Sequence, residues 1–167
     1  AAALAAASGE IVDYRDAHAR EHSLEMQLPF VARLLPGVPI VPLVMGYQDR
    51  ATALALGDAL ARVLAARGGE RVLIVASSDL SHYEDAAVAA RLDAVVVRHV
   101  EALDADGLMD AIEREPRHAC GGGPMVSVLR AAAQLGGTEA RVLRYADSGD
   151  VSGDKSSVVG YMAAAIW

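Results

Sequence analysis

Residues 18–30, HAREHSLEMQLPF, contain two histidines four positions apart, with a glutamate directly before the second. This H-x-x-E-H spacing is that of a zinc-peptidase helix, in which both imidazoles bind one ion from a single helix face. Pro29, seven residues after His22, would kink such a helix, and Ser23 is a good N-cap for a helix that begins after it. In that second arrangement His22 precedes the helix and His18 lies on a loop, so the two imidazoles do not share a face.

A second set of reactive side chains lies in SSDLSHYED, residues 77–85, directly after an apolar run. In open α/β sheets, ligands bind beyond the carboxyl ends of the strands, so Asp79 and His82 lie where a site is expected. A carboxylate beside an imidazole orients the ring and holds its tautomer, which makes the pair a candidate for catalysis. The alternative is that Asp79 and the neighbouring serines only cap a helix or form a turn, a role that does not need His82.

The single cysteine, Cys120, stands in HACGGGPM, residues 118–125, just before a glycine-rich turn that opens a predicted helix. Amides at a helix N-terminus stabilise nearby negative charge, so a thiolate would be favoured there as a nucleophile or as a metal ligand. Three consecutive glycines give the backbone freedom and leave room for a ligand. The alternative is a small buried side chain, which is what most free cysteines are.

The hydrophobic pattern predicts the elements that position these residues. Apolar runs and alternating stretches predict strands at 40–46, 71–77, 140–146 and 156–167. Apolar residues at helical spacing predict helices at 50–66, 85–103, 104–115 and 123–135. Strands that alternate with helices indicate an α/β layered fold with a mainly parallel central sheet, here as one domain over residues 1–167. The last two strands follow each other without a helix, which predicts an antiparallel or edge arrangement at the end of the chain.

Composition limits the classes of partner. The chain has 167 residues, 53% of them apolar, and a net charge of −7, from 15 basic and 22 acidic residues. This excess of negative charge argues against nucleic acid and against an anionic membrane surface, and no apolar run is long enough to span a bilayer. A lone cysteine excludes an intrachain disulfide and fits a reducing cytoplasm. Because the first residues read as the tail of an amphipathic helix, we expect the domain to be incomplete at its N-terminus.

Four stretches occur in a fixed order: EHSLEMQLPF, VASSDLSHY, CGGGPM and RYADSGDVSGDKSSVVGYMAAA. In this order and spacing the chain resembles the Memo family, and more closely its prokaryotic branch, AmmeMemoRadiSam system protein B. The resemblance runs from about His18 to the C-terminus. It implies an α/β fold similar to the catalytic subunits of class III extradiol (LigB-type) dioxygenases, which are non-heme iron enzymes.

The resemblance also implies a metal pocket built from two histidines and one cysteine. His22 and Cys120 match two of these ligands, and the third is expected in an N-terminal segment that has no counterpart in this sequence. Asp79 and His82 match a second pair of pocket residues, with an expected role as acid or base. Imidazole and thiolate suit iron, copper or zinc, and the resemblance favours iron.

These expectations lead to a cytoplasmic metal-binding protein, in the most specific form an iron-dependent oxidoreductase related to non-heme dioxygenases. The alternative is a non-catalytic binding or scaffold module, for which the resemblance implies an AMMECR1-type protein and a radical SAM protein as partners. A homo-oligomer is also expected if part of the core is left uncovered. The third hypothesis is the H-x-x-E-H zinc peptidase, which alone requires His18.

Overall fold

The computed structural model describes residues 1–69 and 71–167 as helices packed against a small antiparallel sheet. The helices are α1 (Ala2–Ala7), α2 (Leu28–Leu34), α3 (Arg50–Ala65), α4 (Ala86–Glu101), α5 (Ala105–Arg114), α6 (Gly122–Gln134) and α7 (Gly149–Ser152). The strands are β1 (His82–Glu84), β2 (Ala140–Asp147) and β3 (Val158–Ile166), and two short 3-10 helices cover Arg15–His18 and Pro116–His118. None of the described helices has the length and apolar character needed to cross a membrane.

The four helices predicted from apolar spacing are confirmed as α3 to α6, each to within two residues at both ends. Aspartate side chains begin three of them, because their carboxylates accept hydrogen bonds from backbone amides of the first turn. These N-caps are Asp49, Asp85 and Asp104. Helix α4 packs on β2 and β3, and α5 packs on both α4 and α6. Together they form the main core, in which Val96, Leu108, Leu129 and Val158 are almost fully buried.

The sheet has the strand order β1-β3-β2, and both pairings are antiparallel. β2 and β3 pair from Ala140 opposite Ile166 to Asp147 opposite Gly160. Only residues 148–157 connect these two strands, which is too short for the crossover that a parallel pair requires. The predicted antiparallel arrangement at the end of the chain is therefore confirmed, whereas the predicted mainly parallel sheet is wrong for the strands that form.

The apolar runs at 40–46 and 71–77 form no strand in the described part of the chain, and these two strand predictions are wrong. An apolar run becomes a strand only beside a hydrogen-bonded neighbour, and none of the three described strands pairs with either run. Their large side chains consequently remain exposed: Ile40, Val41, Leu43, Val72, Leu73 and Val75. We refer to these six side chains as the open apolar surface.

The total accessible surface is larger than that of a compact chain of the same mass. It measures 10370 Å², whereas a compact monomer of 17.4 kDa is expected to expose about 7,900 Å². The excess is roughly 2,500 Å², which is comparable to the area that a large protein–protein interface buries.

Candidate metal centre

Three ligand-type side chains from two separate sequence motifs converge in the described structure. Asp79, His82 and Cys120 each offer one ligand atom, and these atoms all lie within 4.8 Å of one another. The Asp79 and His82 side chains also contact each other, with 3.3 Å between Oδ2 and Nε2. We call these three residues the candidate metal centre. Two motifs about forty residues apart in the sequence thus meet at one place.

A buried anchor positions Asp79 and His82. Leu80 lies between them and is 1% exposed, packed in the main core. Its amide donates to the Gly160 carbonyl of β3 at 2.9 Å, and the Gly160 amide donates to the Ser81 carbonyl at 2.9 Å. The backbone between the two candidate ligands is therefore fixed to the sheet.

A β-bulge lies immediately after His82. His82 pairs with Val159 and Glu84 with Val158, so Tyr83 is an extra residue on β1. Its φ of 59° lies in the left-handed region that side chains other than glycine rarely adopt. Bulges and strained residues of this kind concentrate next to functional sites, where they redirect a side chain.

Cys120 is held against the same loop by reciprocal backbone contacts. The Cys120 amide donates to the Asp79 carbonyl at 3.3 Å, and the Asp79 amide donates to Cys120 Sγ at 3.3 Å. The next residue, Gly121, donates its amide to Ser78 Oγ at 2.8 Å and is the N-cap of α6. The sulfur of Cys120 is thereby held beside the loop that carries Asp79 and His82.

The three glycines after Cys120 serve close packing. A Cβ on Gly121 would lie 2.7 Å from Ser78 Cβ, and one on Gly123 would lie 3.1 Å from Gln48 Cβ. At Gly122 the space is taken by the Ile112 side chain. The prediction that these glycines leave room for a ligand is therefore wrong, because protein atoms already fill that room.

Sequence reasoning missed Gln48, which fixes the cysteine turn from the other side. Its Nε2 donates to the Cys120 carbonyl at 2.8 Å, and its Oε1 accepts from the Gly123 amide at 3.0 Å. One amide side chain thus holds both ends of the turn that begins α6. The signal in the sequence was weak but present, since Gln48 follows the apolar run 40–46 at its carboxyl end.

His22 lies outside the three side chains that converge, but its segment is tethered to the same loop. The Ser77 hydroxyl donates to the Ser23 carbonyl at 2.9 Å, and Gln27 Nε2 donates to Ser77 Oγ at 3.0 Å. Ser77 directly precedes the Ser78–Asp79 stretch that contacts Cys120. The residue after His22 is therefore hydrogen-bonded to the loop that carries Asp79.

His18 and His22 do not share a helix. His18 ends the first 3-10 helix, Arg15–His18, and α2 begins only at Leu28. The structure therefore contradicts the H-x-x-E-H peptidase helix, because no described helix carries both imidazoles.

Two further groups shape the electrostatics around the candidate metal centre. Burial raises the pKa of the Tyr161 phenol on β3, and the nearby charge of Asp79 raises it further. On the other side, Arg117 donates to Glu84 of β1 at 2.8 Å and to Glu115 at 2.7 Å. Hydrogen bonds from Arg117 lower the pKa of Glu115 to about 2. This ion-pair network links β1 to the 3-10 helix that leads into Cys120.

The donor set of the candidate metal centre fits a transition metal. One thiolate, one imidazole and one carboxylate suit iron, copper or zinc, whereas calcium and magnesium prefer oxygen ligands alone. Ligand atoms around a tetrahedral ion with bonds of about 2.0–2.3 Å lie roughly 3.3–3.8 Å apart. The observed spread of up to 4.8 Å exceeds this range by about 1 Å, so the side chains would move closer together around a bound ion.

Comparisons with known proteins found similar sequences. The family model for Memo-like proteins matches residues 2–165. A MEMO1 family protein of Methanosarcina mazei is 44% identical over 157 residues, which is 93% of this chain and 58% of the relative. A MEMO1 family protein of Methanosarcina acetivorans is 45% identical over the same shares, and one of Thermotoga maritima is 39% identical over 90% of this chain and 52% of the relative. The chain thus spans little more than half the length of these curated relatives.

Proposed function

The chain belongs to the Memo family, and from that premise we propose that it is a metal-binding protein whose ion is held by Cys120, His82 and Asp79. We further propose His22 as an additional ligand, because its neighbour Ser23 is hydrogen-bonded to the loop that carries Asp79. The observation that supports the proposal is the convergence of the first three side chains within 4.8 Å.

The ion that we propose is ferrous iron, with copper and zinc as alternatives that the same donors accept. In its finer form the proposal is an oxidoreductase with a fold related to the LigB-type dioxygenases. A bound iron would supply redox chemistry at a position with open coordination sites. In this assignment Asp79 and His82, whose side chains lie 3.3 Å apart, would act as ligands and would orient the ion towards the substrate.

A second assignment of roles uses the same residues differently. If His22 and Cys120 hold the ion alone, Asp79 and His82 remain free as an acid–base pair. The two assignments differ in one measurable respect. Loss of the His82 imidazole abolishes metal binding when His82 is a ligand, and leaves binding intact when it is an acid or base.

The experiment is anaerobic titration of the metal-free protein with Fe²⁺, Co²⁺ and Zn²⁺, with metal content determined by elemental analysis. We expect one ion per chain, and at least a tenfold loss of affinity in Cys120→Ser and in His82→Ala. The matched control is His18→Ala, because His18 is a ligand only in the peptidase hypothesis, which the structure contradicts. Wild-type protein that binds none of the three ions, or a His18→Ala loss equal to that of Cys120→Ser, would refute the proposal.

A binding module is the second candidate function, and the open apolar surface favours it. Its six large apolar side chains are 42–72% exposed, and the total surface exceeds that of a compact chain of this mass by roughly 2,500 Å². The partners that we propose are an AMMECR1-type protein and a radical SAM protein, or a second copy of this chain. Copurification of either partner that is lost in Leu73→Lys supports this function, and turnover of a small substrate by the isolated chain argues against a purely structural role.

A further inference from the structure

A buried carboxylate lies directly behind the candidate metal centre. Asp93 of α4 is 0% exposed, and no lysine or arginine in the described residues forms an ion pair with it. Burying a carboxylate without a cation is costly, so such groups persist only where hydrogen bonds satisfy them. The free energy of folding alone gives little reason for an aspartate at this position.

Two hydrogen bonds tie Asp93 to two other elements. Oδ1 accepts from the Ser81 amide at 2.9 Å, and Oδ2 accepts from the Tyr145 hydroxyl of β2 at 2.7 Å. Burial raises the pKa of that phenol, and the hydrogen bond to Asp93 raises it further, so Tyr145 stays a proton donor. Asp93 thereby links α4 and β2 to the residue that lies between Asp79 and His82 in the loop.

The strand opposite is shaped to make room for this carboxylate. A Cβ added to Gly160 would overlap Asp93 Oδ2, so only glycine fits at this position of β3. Gly160 is also the residue whose backbone binds Leu80 and Ser81. β3, Asp93 and the loop therefore pack against one another around Gly160.

We propose that Asp93 is a positioning residue of the metal centre, acting through the Ser81 amide to fix the loop that carries Asp79 and His82. The inference rests on the proposed metal-binding function. Residues hydrogen-bonded directly to metal ligands typically change metal affinity by about 10- to 100-fold when they are replaced, and because Asp93 acts through the Ser81 amide we expect the lower end of this range.

The test uses Co²⁺ as the probe metal, because its absorption reports the ligand geometry as well as the affinity. We expect Asp93→Leu to bind Co²⁺ at least tenfold more weakly, with a changed absorption spectrum. Asp93→Asn should rescue binding to within about threefold, because its amide can accept from Ser81 and donate to Tyr145. The control is Asp58→Ala, which removes the ion pair to Arg130 between α3 and α6 and lowers stability without contacting the loop.

Asp93→Leu protein that binds Co²⁺ with wild-type affinity and spectrum overturns the inference, as does an equal loss in Asp58→Ala. If Asp93→Leu does not fold, Tyr145→Phe decides, since it removes only the donor to Oδ2. We then expect a severalfold loss of affinity with a shifted spectrum, and unchanged binding overturns the inference. These results are distinguishable from failure of the proposed function, in which wild-type protein itself would bind no cobalt.

Discussion

Gly121→Ala is the substitution whose effect on the metal centre follows most directly from the structure. Gly121 has φ −109° and ψ 41°, so its backbone does not require glycine. An alanine Cβ would, however, lie 2.7 Å from Ser78 Cβ and 2.8 Å from Ser78 Oγ. Ordinary van der Waals contact begins at 3.4 Å, so Ser78 and Gly121 must separate by about 0.7 Å, the difference between 3.4 and 2.7 Å.

The separation has a calculable effect on Cys120. If the Ser78–Asp79 loop takes the whole displacement, the distance from the Asp79 amide to Cys120 Sγ grows from 3.3 Å to about 4.0 Å, at the limit of a hydrogen bond to sulfur. We expect Gly121→Ala to weaken Co²⁺ binding by about tenfold, or ~1.4 kcal/mol, because the ligands are displaced and the thiolate loses a donor. Overpacking should also lower the free energy of unfolding by about 1–3 kcal/mol.

The assay is a Co²⁺ titration followed through the thiolate-to-cobalt absorption, with urea unfolding of the same samples. Gly46→Ala is the matched control, since a Cβ there meets nothing within 4 Å and its φ is not positive. A folded Gly121→Ala protein with wild-type cobalt affinity would show that the close contact does not hold the cysteine in place. An equal loss in Gly46→Ala would show the same.

Three further predictions concern pH, association and the core. Arg117 lowers the folded-state pKa of Glu115 from 4.5 to about 2, so this carboxylate stabilises the fold above pH 4.5 and the contribution is lost as the pH falls towards 2. Glu115→Gln should therefore be less stable than wild type at pH 6, and the difference should shrink as the pH falls from 4.5 through about 2 in urea unfolding; a constant difference across this range would contradict the linkage. The open apolar surface should make the isolated chain self-associate, as measured by light scattering. Leu73→Lys should reduce this association, whereas Val151→Lys, on the exposed α7, should leave it unchanged. A monodisperse wild-type monomer would refute the prediction. Leu129→Ala should lower the free energy of unfolding by about 3 kcal/mol and Tm by roughly 6–12 °C. Leu135→Ala, at a half-exposed helix end, should lower the free energy of unfolding by under about 1 kcal/mol. Equal losses would place Leu129 outside the core.

The helices were predictable because their signals are local. Each of α3, α4 and α5 has apolar residues at helical spacing and an aspartate N-cap directly before it, so no distant residue is needed to predict these helices. Strands depend on neighbours far along the chain. β2 and β3 were predictable because they form a hairpin, whereas the runs at 40–46 and 71–77 carry the same apolar character but have no partner in the described residues.

The residues of the candidate metal centre were also predictable from their neighbours in the sequence, whereas their meeting in space was not. Asp79 and His82 follow one apolar run, and Cys120 precedes a helix, so each motif could be recognised from its own neighbourhood. Their convergence depends on hydrogen bonds between residues about forty positions apart, such as the Asp79 amide to Cys120 Sγ, which no local pattern reveals. The role of Asp93 was hidden for another reason. An aspartate inside an amphipathic helix normally faces water, and only the fold shows that this one is buried.

Cys120 is the only cysteine of the chain and is exposed. A thiol-selective reagent will therefore modify a single known atom, with no background from other positions. Because a metal-bound sulfur reacts more slowly than a free one, the alkylation rate of the purified protein becomes a gauge of cation occupancy, usable before any substrate has been identified.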